Sequence, residues 1–205
     1  MLFGNPRTLL LRIIAILIAV TFHEFAHAWM ADRLGDPTPR LRGRLSLNPI
    51  VHLDLLGSLL LLVAGFGWAK PVEVNPRNFT NWRKGMMLVA VAGPLANVTL
   101  AFLIGLLFQL HLVDGATLLG QVALVAVYFN VVLAVFNLIP VPPLDGSRIL
   151  SGLLPPAQAL AYDRLAPYGP FVLLVLIMLP GSVFGTLMGP PVNWLIAQAL
   201  GGGRF

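Results

Sequence analysis

The sequence predicts an all-α polytopic membrane protein. It has three long spanning segments, additional membrane helices toward the C-terminus, and a re-entrant, partly extended element after the first helix. Three observations carry that reading. Of 205 residues, 58% are hydrophobic and only 10% charged, against about 25% charged in a soluble domain. Apolar runs of about twenty residues recur, long enough at 1.5 Å per residue to cross ~30 Å of hydrocarbon. Most basic residues sit between those runs: eight of the thirteen Lys and Arg fall in 33–54 and 68–84.

The first segment runs from about Leu9 to Leu34, and Gly35, Asp36, Pro37 and Pro39 end it. Arg7 and Arg12 precede its apolar run, and Ala26-His27-Ala28 mimics a small-x-small cleavage site. A cleaved signal peptide is the less favoured reading, since cleavage there leaves a chain that is still membrane protein. Leu55–Phe66 is apolar but only twelve residues long, short for a spanning helix. If it crossed, the basic stretches on either side of it would face opposite sides of the bilayer, against the positive-inside rule. Residues 50–75 are therefore expected to form a re-entrant or surface-lying element, which is tolerated only against protein or a wet cavity.

The second segment, about Gly85–Leu110, contains Gly93-Pro94 and Asn97, which imply a kink or close helix contact. His111–Leu119 has no Lys or Arg and suits the outer side. The third segment, about Leu118–Ile139, leads into a Pro-rich turn, Pro140–Gly146. Tyr168–Leu200 is apolar but interrupted by Pro180-Gly181 and Gly189-Pro190-Pro191, and reads as two short helices or one hairpin. A single membrane-embedded domain over 1–205 is expected, with its core at about 9–150 and C-terminal helices at about 168–200.

Composition also excludes several functions. There are no cysteines, so there is no disulfide framework, thiolate metal site or cysteine nucleophile. A net charge of +5 could suit nucleic acid. Its confinement to stretches between apolar runs suits an anionic bilayer surface instead.

The chemistry-bearing signal is His23-Glu24-Phe25-Ala26-His27, an HExxH motif inside the first apolar segment. Histidines four apart share one helix face. Neutral imidazoles there suit Zn²⁺, and the glutamate between them suits a general base. A charged residue at mid-membrane costs about 2.5–3.5 kcal/mol even on permissive scales, so such a cluster points to function. The alternative is an interhelical hydrogen-bond cluster or proton pathway. Catalytic zinc takes three protein ligands. The remaining acids are Asp32, Asp36, Asp54, Glu73, Asp114, Asp145 and Asp163. Asp145 stands out at the end of the third segment, but Asp-Gly is also a common turn dipeptide, and spacing leaves both readings open. His52 is a further ligand or gate candidate, although a lone loop histidine is more often structural.

Three motifs in order resemble the site-2 protease family of intramembrane zinc metalloproteases. They are the HExxH motif, Ala92-Gly93-Pro94-Leu95-Ala96-Asn97, and Asn137-Leu138-Ile139-Pro140 leading to Leu144-Asp145-Gly146. The resemblance covers a three-helix catalytic core, roughly residues 9–150. It implies one zinc ion held by His23, His27 and Asp145, with Glu24 as catalytic base. Asn97 and Asn137 are implied as contacts for substrate or intermediate, Asn97 as an added donor to the oxyanion. The implied substrate is a transmembrane segment of a membrane protein, held as an added strand against a re-entrant β-hairpin that Gly67–Val74 is similar to. No PDZ or paired regulatory domain and no helices before the HExxH segment are expected. The expected setting is a prokaryotic plasma membrane, with the site near the cytoplasmic face and no nucleic-acid partner. The competing functions are a membrane metal transporter and a relative that has lost catalysis.

Overall fold

The computed structural model describes residues 5–57, 67–178 and 183–202. Among them are eight helices and no strand, as the composition requires. Four stretches are long and apolar enough to cross a membrane: 6–33, 82–109, 118–137 and 156–178.

Helix α1 (Pro6–Arg33) opens with Asn5, whose side chain accepts from the Arg7 N–H at 2.9 Å, followed by proline at the first position. Both are standard helix-start chemistry. It ends at Leu34, and Gly35 turns the chain at φ +101°, a conformation glycine adopts without a Cβ penalty. A short helix α2 (Thr38–Leu41) follows, then a 3-10 turn at Pro49–His52. The second long helix, α3 (Trp82–Gln109), is capped by Asn81 and carries Pro94 inside. The third, α4 (Leu118–Asn137), is capped by Thr117. Then come α5 (Asp145–Leu153), α6 (Pro156–Asp163), α7 (Gly169–Met178) and α8 (Val183–Ala199).

Helices α1, α3 and α4 pack against one another in all three pairings. Their contact faces are built from small residues: Ala15, Ala19, Ala90, Ala92, Ala101, Ala126 and Ala134 are all buried. In lipid there is no hydrophobic gain from bringing helices together, so close backbone approach and dispersion must hold them. Helix α8 seals the α3–α4 side through Met188, Val192 and Ala199 against Ala101, Val127 and Val131. A Cβ on Gly105 would lie 2.2 Å from the Ala199 carbonyl oxygen, so only glycine allows that approach.

Two expectations need correction. Gly189-Pro190-Pro191 does not interrupt the C-terminal region, because α8 runs through both prolines. Proline's fixed φ suits a helix; what it removes is a donor, and flanking contacts with α3 and α4 hold the helix. Asp145 is not in the turn but is the first residue of α5, where a negative side chain is favoured by the helix dipole. The Pro180-Gly181 interruption and most of Leu55–Phe66 lie outside the described residues.

The element after α1 is irregular and partly extended. Among the described residues it holds one isolated antiparallel bridge, Leu53–Ala69, beside a Lys70 N–H bond to the His52 carbonyl at 2.9 Å. Two buried charges fold it. The Arg44 guanidinium donates to the carbonyls of Val51 and Lys70. Asp36 is fully buried and accepts from the Asn75 N–H at 2.7 Å, Asn78 Nδ2 at 2.6 Å, and the Thr38 hydroxyl and N–H. Burial works against ionisation of Asp36. The bonds from Thr38, Asn75 and Asn78 outweigh it and hold the carboxyl below its ordinary pKa. Asp36 thereby ties the end of α1 to the residues that lead into α3.

Candidate metal centre

Helix α1 carries the buried residues His23, Glu24 and His27 on its inner side. A spacing of four puts the two rings one turn apart, edge to face with centroids 4.5 Å apart. Their Nε2 atoms lie 3.0 Å from each other. Asp145 Oδ2, delivered by the start of α5, lies 3.1 Å from His23 Nε2 and 3.2 Å from His27 Nε2. These three are the one group of three or more His, Cys, Asp or Glu found within ligating reach among the described residues.

Neighbouring helices set the remaining ring atoms. His27 Nδ1 donates to the Val89 carbonyl of α3 at 2.7 Å. His23 Nδ1 donates to Asn97 Oδ1 at 2.7 Å. With both protons on Nδ1, both Nε2 lone pairs point at the Asp145 oxygen, which is buried and lacks a hydrogen-bond donor. Three convergent acceptors are a cation-binding set. Tetrahedral zinc with bonds of about 2.0–2.2 Å would space its ligand atoms by roughly 3.3–3.5 Å, close to the distances found. The residues present therefore fit zinc.

Two glycines make this convergence sterically feasible. A Cβ at Gly93 would lie 2.5 Å from His27 Cε1 and Nε2 and 2.7 Å from His23 Cε1, so α3 can back the rings only through a glycine. A Cβ at Gly146 would meet the carbonyl oxygens of Leu138 and Ile139 at 2.3 and 2.5 Å. The Asp-Gly pair is therefore more than turn chemistry: the glycine lets α5 start against the end of α4, and the aspartate next to it reaches the histidines.

Glu24 is 9% exposed and accepts from the Val72 N–H at 3.2 Å. The irregular element thus lies over the glutamate. Asn97 is fully buried, but its placement differs from the substrate contact expected. Its two amide protons go to the Ala19 carbonyl at 2.9 Å and Asn130 Oδ1 at 2.8 Å, and its oxygen to His23. It has no donor left for an oxyanion. The Asn137 amide donates to Leu133 O of its own helix at 3.0 Å. His52 is fully buried, bonded through Nε2 to the Ser46 carbonyl at 2.7 Å, and stands outside the metal-ligating group, which removes the fourth-ligand reading. Sequence reasoning missed Asn130 and the anchoring role of Asp36, and read Gly93 as a close helix contact without placing it against the two rings. Asn130 is the amide at the middle of an otherwise apolar stretch between Gln121 and Asn137, and that was its only available signal.

The profile of "Peptidase family M50" matches residues 112–180, the stretch that holds Asp145. "Putative zinc metalloprotease YwhC" of Bacillus subtilis is 44% identical over 194 residues, covering 91% of this chain and 85% of the relative. The chain belongs to peptidase family M50. Other relatives agree. "Putative zinc metalloprotease Rip2" of Mycobacterium tuberculosis is 37% identical over 193 residues, 87% of this chain and 70% of its own length. "Putative zinc metalloprotease MJ0611" of Methanocaldococcus jannaschii is 32% identical over 155 residues, 73% of this chain and 75% of its own. No solved structure matches. M50 membership together with four apolar stretches makes the chain an integral, multi-pass membrane protein. The family also supports a zinc metalloprotease, and the site-2 protease resemblance stands.

Proposed function

We propose that this M50 chain is an intramembrane metalloprotease, a single domain over 1–205 that hydrolyses peptide bonds within or next to transmembrane segments of other membrane proteins. One zinc ion is held by His23, His27 and Asp145, and Glu24 is the general base. One observation carries the reading. Two imidazole Nε2 atoms and a carboxylate oxygen meet within 3.2 Å of one another, inside helices long enough to span a bilayer and beside a buried glutamate.

Held by His23, His27 and Asp145, zinc would supply Lewis acidity toward a water and a scissile carbonyl. Glu24 takes the proton of the attacking water and passes it to the leaving amide nitrogen. His23 and His27 each hold a proton on Nδ1, donated to Asn97 and to the Val89 carbonyl. A substrate helix hides its amides in i→i−4 bonds and must unwind to be cut. The partly extended residues 67–75, anchored over Glu24 by Val72, offer backbone to replace those bonds by strand addition.

His27 lies six residues before Arg33, the end of α1, about 9 Å along the axis. The basic residues of 33–54 and 68–84 gather beyond that end. The positive-inside rule then supports a site near the cytoplasmic face, within a short reach of water, in the proposed setting of a prokaryotic plasma membrane.

The test combines zinc analysis with cleavage of a reporter transmembrane segment in vesicles. Glu24→Gln is expected to keep zinc and lose cleavage by a factor of at least about 10²; Asp145→Ala is expected to lose both. A Glu24→Gln protein that still cuts, or an Asp145→Ala protein that binds zinc like wild type, removes the assigned role.

A further inference from the structure

We infer that Asn130, on α4, is a positioning residue for the metal centre: it locks the Asn97 amide, which fixes the ring of His23. This rests on the ligand assignment proposed above. Asn130 is fully buried. Its Nδ2 donates to the Ala126 carbonyl of its own helix at 2.8 Å, which leaves Oδ1 as the end turned toward α3. That oxygen accepts from Asn97 Nδ2 at 2.8 Å. The other Asn97 proton goes to the Ala19 carbonyl at 2.9 Å.

Two acceptors on one side therefore decide which way the Asn97 carboxamide faces. Reversing it would press its oxygen against two other oxygens. In the orientation found, Oδ1 stands 2.7 Å from His23 Nδ1. An oxygen there requires the imidazole proton on Nδ1 and leaves the lone pair on Nε2, the atom directed at Asp145 and His27. The reversed amide would present N–H to Nδ1, move the ring proton to Nε2 and disable the ligand. His27 has no such weakness, because its Nδ1 bonds to the Val89 main-chain carbonyl, which cannot flip. The two ligand histidines are thus set by different means, and only His23 depends on a side chain of the third core helix. If Asn130 merely packed, an apolar residue of similar volume would serve equally well.

The test measures zinc affinity by chelator competition on the purified full-length protein and on Asn130→Leu, Asn97→Leu, their double variant, Val131→Ala and His23→Ala. Asn130→Leu is expected to weaken zinc binding about tenfold, the lower end for losing an outer partner of a ligand. In the Asn97→Leu background it should change nothing further, because the relay is already cut. Val131→Ala shortens a buried side chain on the same helix outside the relay and should leave affinity as in wild type. In the metal-free wild type, ¹⁵N-histidine spectra should find the His23 proton on Nδ1, and in Asn130→Leu a population on Nε2. Wild-type affinity in Asn130→Leu, losses that multiply in the double variant, or an Nε2–H His23 in the wild type would each overturn the inference. The wild-type spectrum can overturn it even where a variant fails to fold, and the Asn130→Leu affinity carries the support. Intact zinc binding in His23→Ala would instead locate the failure in the ligand assignment.

Discussion

Gly93→Ala tests the metal centre through a single added methyl. Its Cβ would sit 2.5 Å from His27 Cε1 and Nε2 and 2.7 Å from His23 Cε1, about 1 Å inside the 3.5–4.0 Å optimum for carbon contacts. Ring tips can often yield, but these cannot do so freely. Each ring is held at its other nitrogen by a 2.7 Å bond, to Asn97 or to the Val89 carbonyl. Relief therefore needs a shift of about 1 Å, twice the ~0.5 Å within which a functional constellation must be held. Zinc affinity should fall by a factor of roughly 10–100, the range seen when ligand orientation is lost. The fold should survive: overpacking costs about 1–3 kcal/mol, and replacing a helical glycine by alanine returns up to ~1 kcal/mol. Gly189→Ala is the control, since a Cβ there meets nothing within 4 Å. The assay is zinc content by mass spectrometry alongside thermal unfolding. A Gly93→Ala protein with wild-type zinc affinity would refute the close backing of the rings by α3.

Gly146→Ala should also reduce zinc content, because the new methyl collides with the Leu138 and Ile139 carbonyls and displaces Asp145; full zinc retention would count against that role for the glycine. Gly105→Ala should lower thermal stability by about 1–3 kcal/mol while leaving zinc content unchanged, since the atoms nearest its Cβ belong to the Ala199 backbone of α8; a zinc loss would show that α8 packing reaches the site. Asp36→Asn should destabilise by about 2 kcal/mol, the scale of hydrogen bonds to a charged group. The Asp36 pKa is lowered in the fold, so its contribution is complete above the unfolded value of about 3.9 and is lost as pH falls through the folded one. The stability gap between wild type and Asp36→Asn should therefore hold from pH 7 to pH 5 and close below about pH 4; a gap that persists to the acid limit would contradict the carboxylate role.

The three core helices were legible because each needed only length and hydropathy, and the structure moves their ends by a few residues. The HExxH pair was legible because its geometry is local to one helix. The standing of Asp145 was less so. A sequence shows Asp-Gly but not the Leu138 and Ile139 carbonyls that Gly146 must clear. Asn97 was placed near the site through a resemblance, and its actual partners, Ala19, Asn130 and His23, come from three different segments. Hydrophobic periodicity on one helix does not say which neighbour an amide will meet. Pro190-Pro191 misled for the opposite reason, since a strong local rule yielded to the packing of α8 on α3 and α4.

The polar groups of the three core helices show why the site takes this form. In hydrocarbon an unpaired polar group costs several kcal/mol, so each must find a partner without water. One Asn130 amide proton reaches Ala126, those of Asn97 reach Ala19 and Asn130, and the Nδ1 protons reach Asn97 and Val89. These bonds use both Asn97 amide protons and the Nδ1 proton of each histidine. What remains is three acceptors, two Nε2 atoms and Asp145 Oδ2, facing one another at 3.0–3.2 Å. Additional protons could satisfy them in pairs. One divalent cation satisfies all three at once and leaves both imidazoles neutral. The hydrogen-bond arrangement of the helices thus supports the proposed ligand set, and the role proposed for Glu24 requires that set to be held in register from α1, α3, α4 and α5 together.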